Sequence, residues 1–385
     1  RDFMNREIKF QDLARLHRSI RSELNAAFDD VLESSAFIQG KYVRKFEEDF
    51  SKFVGIPRCF GVANGTDALE IALKAIGISS GDSVLVPAMT FAATAEAVLN
   101  VGAVPVFVDI SPDTLCATER HFEEALGSTN AKAKAFISVP LHGLADRLPE
   151  LADFAKTHRL EWIEDCAQAH GALVQGRHVG GFGAAGTFSF YPGKNLGALG
   201  DAGAIVTNSG HIAERVVSLR DHGRTEKYLH TSVGRNSRLD GLQAAFLSVK
   251  LKYLSEWTLK RRTLAQRYFE NLEKAEQPLR LLARPKDEQN HVFHNFVVRI
   301  VDDSNPQTNK WRARVIELLG KSGIETGIHY PVALSEQPAF KQFRRKTEQA
   351  ERVSREVLSL PIDPLMSLDD VDYVSEVLIE AVRNL

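Results

Sequence analysis

Residues 186–203 read GTFSFYPGKNLGALGDAG, and the single lysine in that stretch, Lys194, decides how the rest of the chain is to be read. GTFSFY (186–191) has the composition of a buried strand, and the glycines after it fold the chain into a tight loop. A lysine held in such a loop loses hydration, its pKa falls, and the freed lone pair attacks a carbonyl carbon. Lys194 is therefore a candidate Schiff-base former. The plain alternative is a solvated loop lysine, and the surroundings of Lys194 decide between the two.

Upstream, LEWIED (160–165) is a strand that ends on acids and leads into CAQAHGA, so Asp165 stands at a strand terminus. A carboxylate there can hold a protonated ring nitrogen, or simply cap a helix. Lysine and aspartate together point to pyridoxal 5'-phosphate (PLP) chemistry. Further strand candidates are VLVP (84–87), VPVFVD (104–109), KAFISVP (134–140) and GAIVT (203–207), separated by helical stretches such as TAEAVLNVGA and PELADFAKTH. This alternation predicts an α/β fold with a mostly parallel central sheet. Residues 11–33 have the periodicity of one amphipathic helix, and a second follows through Val43, Phe46, Phe50 and Phe53. After residue 240 one long helix is expected, and then a smaller α+β portion in which HVFHNFVVRI and IETGIHYP read as strands. The expected division is a large domain over 1–245 and a small one over 246–385.

The 385 residues are 44% hydrophobic and 25% charged with a formal net charge of −2, which gives no reason to expect a nucleic-acid or anionic-membrane partner. No apolar run approaches the ~20 residues of a membrane span. Three cysteines, Cys59, Cys116 and Cys166, suit a reducing cytoplasm better than a disulfide framework, and no metal-ligand spacing is present.

Other residues gain meaning at the carboxyl ends of strands, where open α/β sheets bind ligands. Gly65, Thr66 and Asp67, in ANGTDALEIAL, begin a helix; free N–H groups and the positive dipole end there favour a phosphate, although an ordinary capped turn has the same sequence. Thr66 or Asp67 is the expected cap. Phe91 either stacks on a planar cofactor or joins the core. Ser189 either donates to a phosphate or faces inward from its strand.

The ordered set resembles the sugar-aminotransferase family of fold-type-I PLP enzymes, the DegT/DnrJ/StrS group. The resemblance runs nearly end to end, through FIQGKYVRKFEEDFSKFVG, ANGTDALEIAL, VPAMTFAATAEAVLNVGAVPVFVDI, IEDCAQAHGA, TFSFYPGKNLGALGDAGAIVT, LRDHGR, LDGLQAAFL, GIHYP and LSLPI. It implies that Lys194 is the Schiff-base lysine, Asp165 the partner of the pyridine nitrogen and Gln168 the neighbour of the ring hydroxyl. Phe91 would stack on the ring, with Gly65, Thr66, Asp67 and Ser189 around the phosphate. Asn236 would reach the cofactor of a neighbouring subunit, making a homodimer with shared sites. Arg238 would bind the carboxylate of the amino donor, L-glutamate, and His329 would approach the substrate. The implied reaction aminates a keto or aldehyde carbon of a nucleotide-linked deoxyhexose, for cell-surface polysaccharide, lipopolysaccharide or secondary metabolites.

Two departures bear on the substrate. The usual Gly-any-Asn-Tyr-Arg is Gly234-Arg235-Asn236-Ser237-Arg238 here, and VPLHGLADRLPEL (139–151) brings His142 within four residues of Asp146, closer than in relatives. Arg235 suits an anionic sugar, which makes a free keto-deoxy sugar acid the alternative substrate; equally, it can face solvent or form a dimer salt bridge. A non-catalytic regulator is the alternative of another class, against which Lys194 and Asp165 both stand.

Overall fold

The computed structural model describes residues 6–128, 132–273, 275, 278–305, 307 and 309–385. Three N-terminal helices come first: α1 (Leu13–Ser19), α2 (Arg21–Ser34) and α3 (Lys41–Val54). The single helix expected over 11–33 is broken at Ile20, whose φ of −121° and ψ of 19° take it out of the helical region. Gly55 stops α3 in the left-handed conformation at φ 64°, where a side chain is disfavoured.

The central sheet is built from β1 (Arg58–Val62), β2 (Ser83–Pro87), β3 (Val104–Val108), β4 (Ala133–Ser138), β5 (Glu161–Asp165), β8 (Ala185–Ser189) and β9 (Gly203–Thr207), with a short hairpin, β6 (Leu173–Val174) and β7 (Arg177–His178), beside it. Strand order is β1-β9-β8-β5-β4-β2-β3. The five strands β3, β2, β4, β5 and β8 pair in parallel, while β9 runs antiparallel to both β8 and β1. Every residue of β2 and β9 is buried, as in a sheet covered on both faces. The covering helices are α4 (Gly65–Ala75), α5 (Ala93–Asn100), α6 (Glu119–Gly127), α7 (Leu148–His158) and α8 (Gly210–Leu219). Phe46 and Phe50 of α3 meet Phe190 and Phe188 edge to face at centroid distances of 5.3 and 5.1 Å. This locks the N-terminal helices onto the strand that leads to Lys194, each buried ring contributing about 1.5–3 kcal/mol.

A second ribbon, β10 (Arg224–Glu226) with β11 (Leu229–His230), precedes α9 (Gly241–Leu251) and α10 (Leu254–Leu272). The expected single helix here is two. At the junction the N–H groups of Lys252 and Tyr253 bond three residues back, to Val249 and Lys250, and tighten the turn. The split lets α9 lie on the N-terminal helices while α10 turns to the second core, so the expected boundary at 245 falls inside α9.

That second core gathers Tyr268 and Phe269 of α10 with α11 (Lys310–Lys321), α13 (Leu368–Arg383) and an antiparallel sheet of β12 (Leu279–Leu281), β13 (Phe296–Ile300) and β14 (Val357–Leu360). HVFHNFVVRI is a strand only from Phe296, and IETGIHYP forms isolated bridges, Ile8↔Ile324 and Gly327↔Ser359, instead of a strand. α12 (Glu348–Glu356) ties this part to the large sheet: its first-turn N–H groups, Gln349 and Ala350, donate to Asp109 just past β3, at 2.9 and 2.8 Å.

Candidate active site

The carboxyl ends of β1, β2, β5 and β8 converge. Strand alternation separates the neighbours Glu164 and Asp165 onto opposite faces. Glu164 accepts the N–H groups of Gly180, Phe182 and Gly183 at 2.7–2.8 Å and braces the turn before β8, while burial raises its carboxyl to about 7. Asp165 faces the site. Its carboxylate accepts from Thr94 Oγ1 at 2.9 Å and from the Ala167 N–H at 3.3 Å, and Thr94 is within 3.0 Å of Thr90. Burial pushes Asp165 above its ordinary range, against the pull of these hydrogen bonds and of Lys194. Two donors leave acceptor capacity for a ring N–H.

Lys194 sits in a turn closed by its own N–H donating to Tyr191 O at 2.8 Å. Burial lowers its ammonium from 10.5 to about 8, with Asp165 working in the other direction. Its charge depresses His142, His170, His294 and His329, so neutral imidazoles surround it; burial is the larger cause in each, and takes His329 to about 4. Gln168 is fixed at both ends, its Oε1 accepting the His142 N–H at 2.6 Å and its Nε2 donating to Tyr330 OH at 3.1 Å. Phe91 is no core residue: it is 57% exposed, with its ring 5.9 Å from that of Tyr330. His329 is held by Ser359 Oγ at 2.9 Å from Nδ1 and stacks on Phe10.

The cap of α4 is Asn64, not Thr66 or Asp67. Its extended backbone lets the side chain accept the Asp67 N–H at 2.8 Å, so that N–H is already used, while those of Gly65 and Thr66 have no intrahelical acceptor. A β-carbon on Gly65 would lie 2.7 Å from Ser189 Cβ, so only glycine lets α4 approach β8 this closely. Ser189 Oγ accepts the Tyr191 N–H at 3.3 Å.

The residues after β11 fall elsewhere. Arg235 pairs with Asp67 at 3.0 Å and with buried Glu70 on α4. The guanidinium expected at an anionic sugar is instead a strut within its own chain, because two carboxylates one helical turn apart offer it a better partner. Arg238 makes one long contact, 3.3 Å, to Asp221. Asn236 is exposed, and Ser237, in the usual tyrosine position, is buried and accepts the Ala63 N–H. The shortened loop is anchored rather than open: the Ala145 N–H donates to Asn290 O and the His294 N–H to His142 O.

Thr94, Tyr330, His170 and Asn195 join the site without having been singled out. Thr94 lies one turn after Thr90 at a helix start, and Tyr330 follows His329; both stood in segments already conspicuous. His170 lies in IEDCAQAHGA, one of the stretches that carry the family resemblance; its Nε2 bonds Ser189 O at 2.9 Å.

The donor set fits pyridoxal phosphate. Asp165 has spare acceptor capacity, Phe91 offers an exposed ring face, the α4 start and Ser189 form a close cradle with unused N–H groups, and a lysine of lowered pKa stands nearby. Fold and site together define a fold-type-I pyridoxal-phosphate aminotransferase. Residues 18–379 match the model of the DegT/DnrJ/EryC1/StrS aminotransferase family, and the chain belongs to that family. It is 40% identical to a dTDP-3-amino-3,6-dideoxy-alpha-D-galactopyranose transaminase of Aneurinibacillus thermoaerophilus, over 96% of this chain and 98% of the relative. Identity is also 40% to a protein of Geobacillus stearothermophilus named pleiotropic regulatory protein, over 97% and 98%. DesV from S. venezuelae, solved in complex with a ketimine intermediate, superposes with a TM-score of 0.91 at 35% identity, over 99% of this chain and all of that one.

Proposed function

We propose that this enzyme moves the amino group of L-glutamate to the C3 keto carbon of a nucleotide-linked deoxyhexose, as a cytoplasmic homodimer with shared sites. The observation that carries the reading is Lys194, its ammonium lowered by burial to about 8, in electrostatic reach of buried Asp165 at the end of β5. When bound, pyridoxal phosphate supplies a ring that withdraws electrons from the carbon beside the transferred nitrogen. Asp165, oriented by Thr94, would hold the ring nitrogen protonated. Lys194 Nζ in its neutral form would take the proton from the donor's Cα and, in the second half, deliver one to the sugar carbon. Gln168 would stand at the ring hydroxyl, and Gly65, Thr66 and Ser189 would hold the phosphate. Arg238, whose described ion pair is with Asp221, would bind the donor carboxylate, and His329 would border the sugar.

The C3 position rests on the named product of the Aneurinibacillus relative. A free sugar acid loses its main support once Arg235 is committed to Asp67 and Glu70. A purely regulatory role, which the Geobacillus name brings to mind, is disfavoured by the intact Lys194–Asp165 pair. Exposed Asn236 follows a ribbon that leaves Tyr228 84% and Val233 87% exposed, surface of the kind a second copy would cover. Cys59, Cys116 and Cys166 are buried free thiols, as suits a reducing compartment.

The test is direct. Purified enzyme should carry a visible band that L-glutamate bleaches, and dTDP-3-amino-3,6-dideoxy-α-D-galactose should bleach it in the same way through the reverse half-reaction. A band insensitive to glutamate would sink glutamate as the donor; bleaching by glutamate but not by the amino sugar would sink the sugar assignment.

A further inference from the structure

α9 carries a second buried lysine that the reaction does not use. Lys250 is 1% exposed, and no carboxylate pairs with it among the described residues. Its ammonium donates to Gly197 O at 2.7 Å and meets Nε2 of His17, on α1, at 2.9 Å. Burial lowers Lys250 to about 8, and burial together with the Lys250 charge lowers His17 to about 4, so His17 is neutral and its Nε2 accepts. An unpaired ammonium in such a place is destabilising, and an apolar side chain would fill the volume without that cost. Something other than packing calls for it.

Gly197 lies three residues beyond Lys194, in the loop whose shape aims the lysine. The loop doubles back on itself: the Ala198 N–H donates to Phe190 O at 2.8 Å, and a β-carbon on Gly197 would lie 2.2 Å from Pro192 O. Side chains hold it from two directions. Asn195 Nδ2 donates to Val292 O at 3.0 Å, and Gln243, also on α9, accepts the Leu199 N–H at 2.8 Å. Lys250 supplies the charged anchor between these two, at the carbonyl nearest the turn.

We propose that Lys250 is a positioning residue for Lys194: its ammonium fixes the Gly197 carbonyl and the turn before it, and His17 ties that same ammonium to the N-terminal helix. The inference rests on Lys194 being the residue that bonds the cofactor. It predicts that the lysine loop is set by α9 and α1, elements that carry none of the residues assigned to cofactor or substrate.

The experiment starts from cofactor-free protein of wild type, Lys250→Met, Lys250→Arg and His17→Ala. Pyridoxal phosphate is added, the visible band is titrated with pH, the adduct is trapped with borohydride and mapped, and backbone amide exchange is followed across residues 190–200. Lys250→Met should bind cofactor with the band's midpoint moved by at least about half a pH unit, trap less at Lys194 and exchange faster in the loop. His17→Ala should move the midpoint in the same direction by less, and Lys250→Arg, which keeps a donor, should restore it. A wild-type midpoint, trapping yield and loop exchange in both Lys250→Met and His17→Ala, whatever their melting temperatures, would reduce Lys250 to a structural brace and overturn the proposal. If Lys250→Met does not fold, His17→Ala and Lys250→Arg decide by the same measures. Should wild type itself give no band, or trap at another lysine, the reading of Lys194 fails first and this inference with it.

Discussion

Burial lowers the Lys194 ammonium from its ordinary 10.5 to about 8, and the charge of Asp165 keeps it from falling further. A lowered lysine pKa populates the neutral, nucleophilic amine above that value. Capture of added pyridoxal phosphate by cofactor-free enzyme should therefore accelerate as pH rises toward about 8 and level off beyond it; stopped-flow absorbance across pH 6–10, in steps of about one unit, checks this. Replacing Asp165 by Asn removes the opposing charge and should shift the levelling-off point to lower pH. Lys194→Ala should hold cofactor without a borohydride-stable bond and lose about 10²–10⁴-fold in turnover, the range for a positioned proton carrier. Neither residue was legible alone, since a lysine among glycines is commonly a solvated loop lysine and an acid at a strand end commonly caps a helix; their order and combination carried the reading. Arg235 stayed open between a sugar contact and a salt bridge because charge in a sequence carries no direction. Only the fold shows that Asp67 and Glu70, on α4, present a pair of carboxylates to it. Arg235→Met should accordingly lower the melting temperature and leave the sugar KM unchanged, a split that steady-state kinetics and thermal denaturation measure separately.

At the scale of elements, the phosphate cradle depends on how near α4 comes to β8. An alanine at Gly65 would bring a methyl group within 2.7 Å of Ser189 Cβ, and neither backbone can yield without opening the cradle. Overpacking of this kind costs about 1–3 kcal/mol, which as lost affinity is roughly 5- to 150-fold. Gly65→Ala should thus weaken cofactor binding by about one to two orders of magnitude while leaving Lys194 able to form its bond, seen as a right-shifted titration with an undiminished plateau. Element type was legible wherever periodicity ran unbroken: β2, β4 and β5 and helices α5 and α7 stand where apolar spacing put them. Boundaries set by single backbone conformations were not. Ile20 has a helix-compatible side chain and breaks the helix anyway, at a φ of −121°, although it packs with Leu16 of α1 and Leu24 of α2 in one apolar cluster. Lys252 and Tyr253 divide α9 from α10 where one amphipathic run serves two cores. The antiparallel insertion of β9 between β1 and β8 depends on long-range pairing that local pattern does not encode.

For the whole molecule, a large body with a mostly parallel sheet and a smaller α+β one were expected from the change in pattern after residue 240, but not the antiparallel pairing of the smaller sheet nor how the two are joined. The join combines apolar packing, with Val297, Phe340, Val353 and Val357 in the core of the large sheet, and polar ties: Asp109 receives α12, and Arg299 bonds Glu356 and also donates to Pro112 O at 3.0 Å. Whether the molecule works alone is decided by the segment that leaves its surface. Asn236 is exposed, while the adjacent Arg235 binds that segment firmly to its own α4, so the asparagine is presented outward on a rigid base. If Asn236 serves the cofactor phosphate of a second copy, each site takes Lys194 from one chain and Asn236 from the other. Lys194→Ala and Asn236→Asp, the latter placing a negative charge against a phosphate, should then each be severely impaired as homodimers. In a hybrid of the two, one site combines both lesions and the other combines neither. A purified hybrid, assembled from differently tagged chains, should recover about half the wild-type rate, because a two-fold dimer has two equivalent sites and one is restored. Sites complete within one chain predict no such recovery, since every site in the hybrid would still hold one lesion. Activity of the isolated hybrid, measured beside each parent, separates the two arrangements.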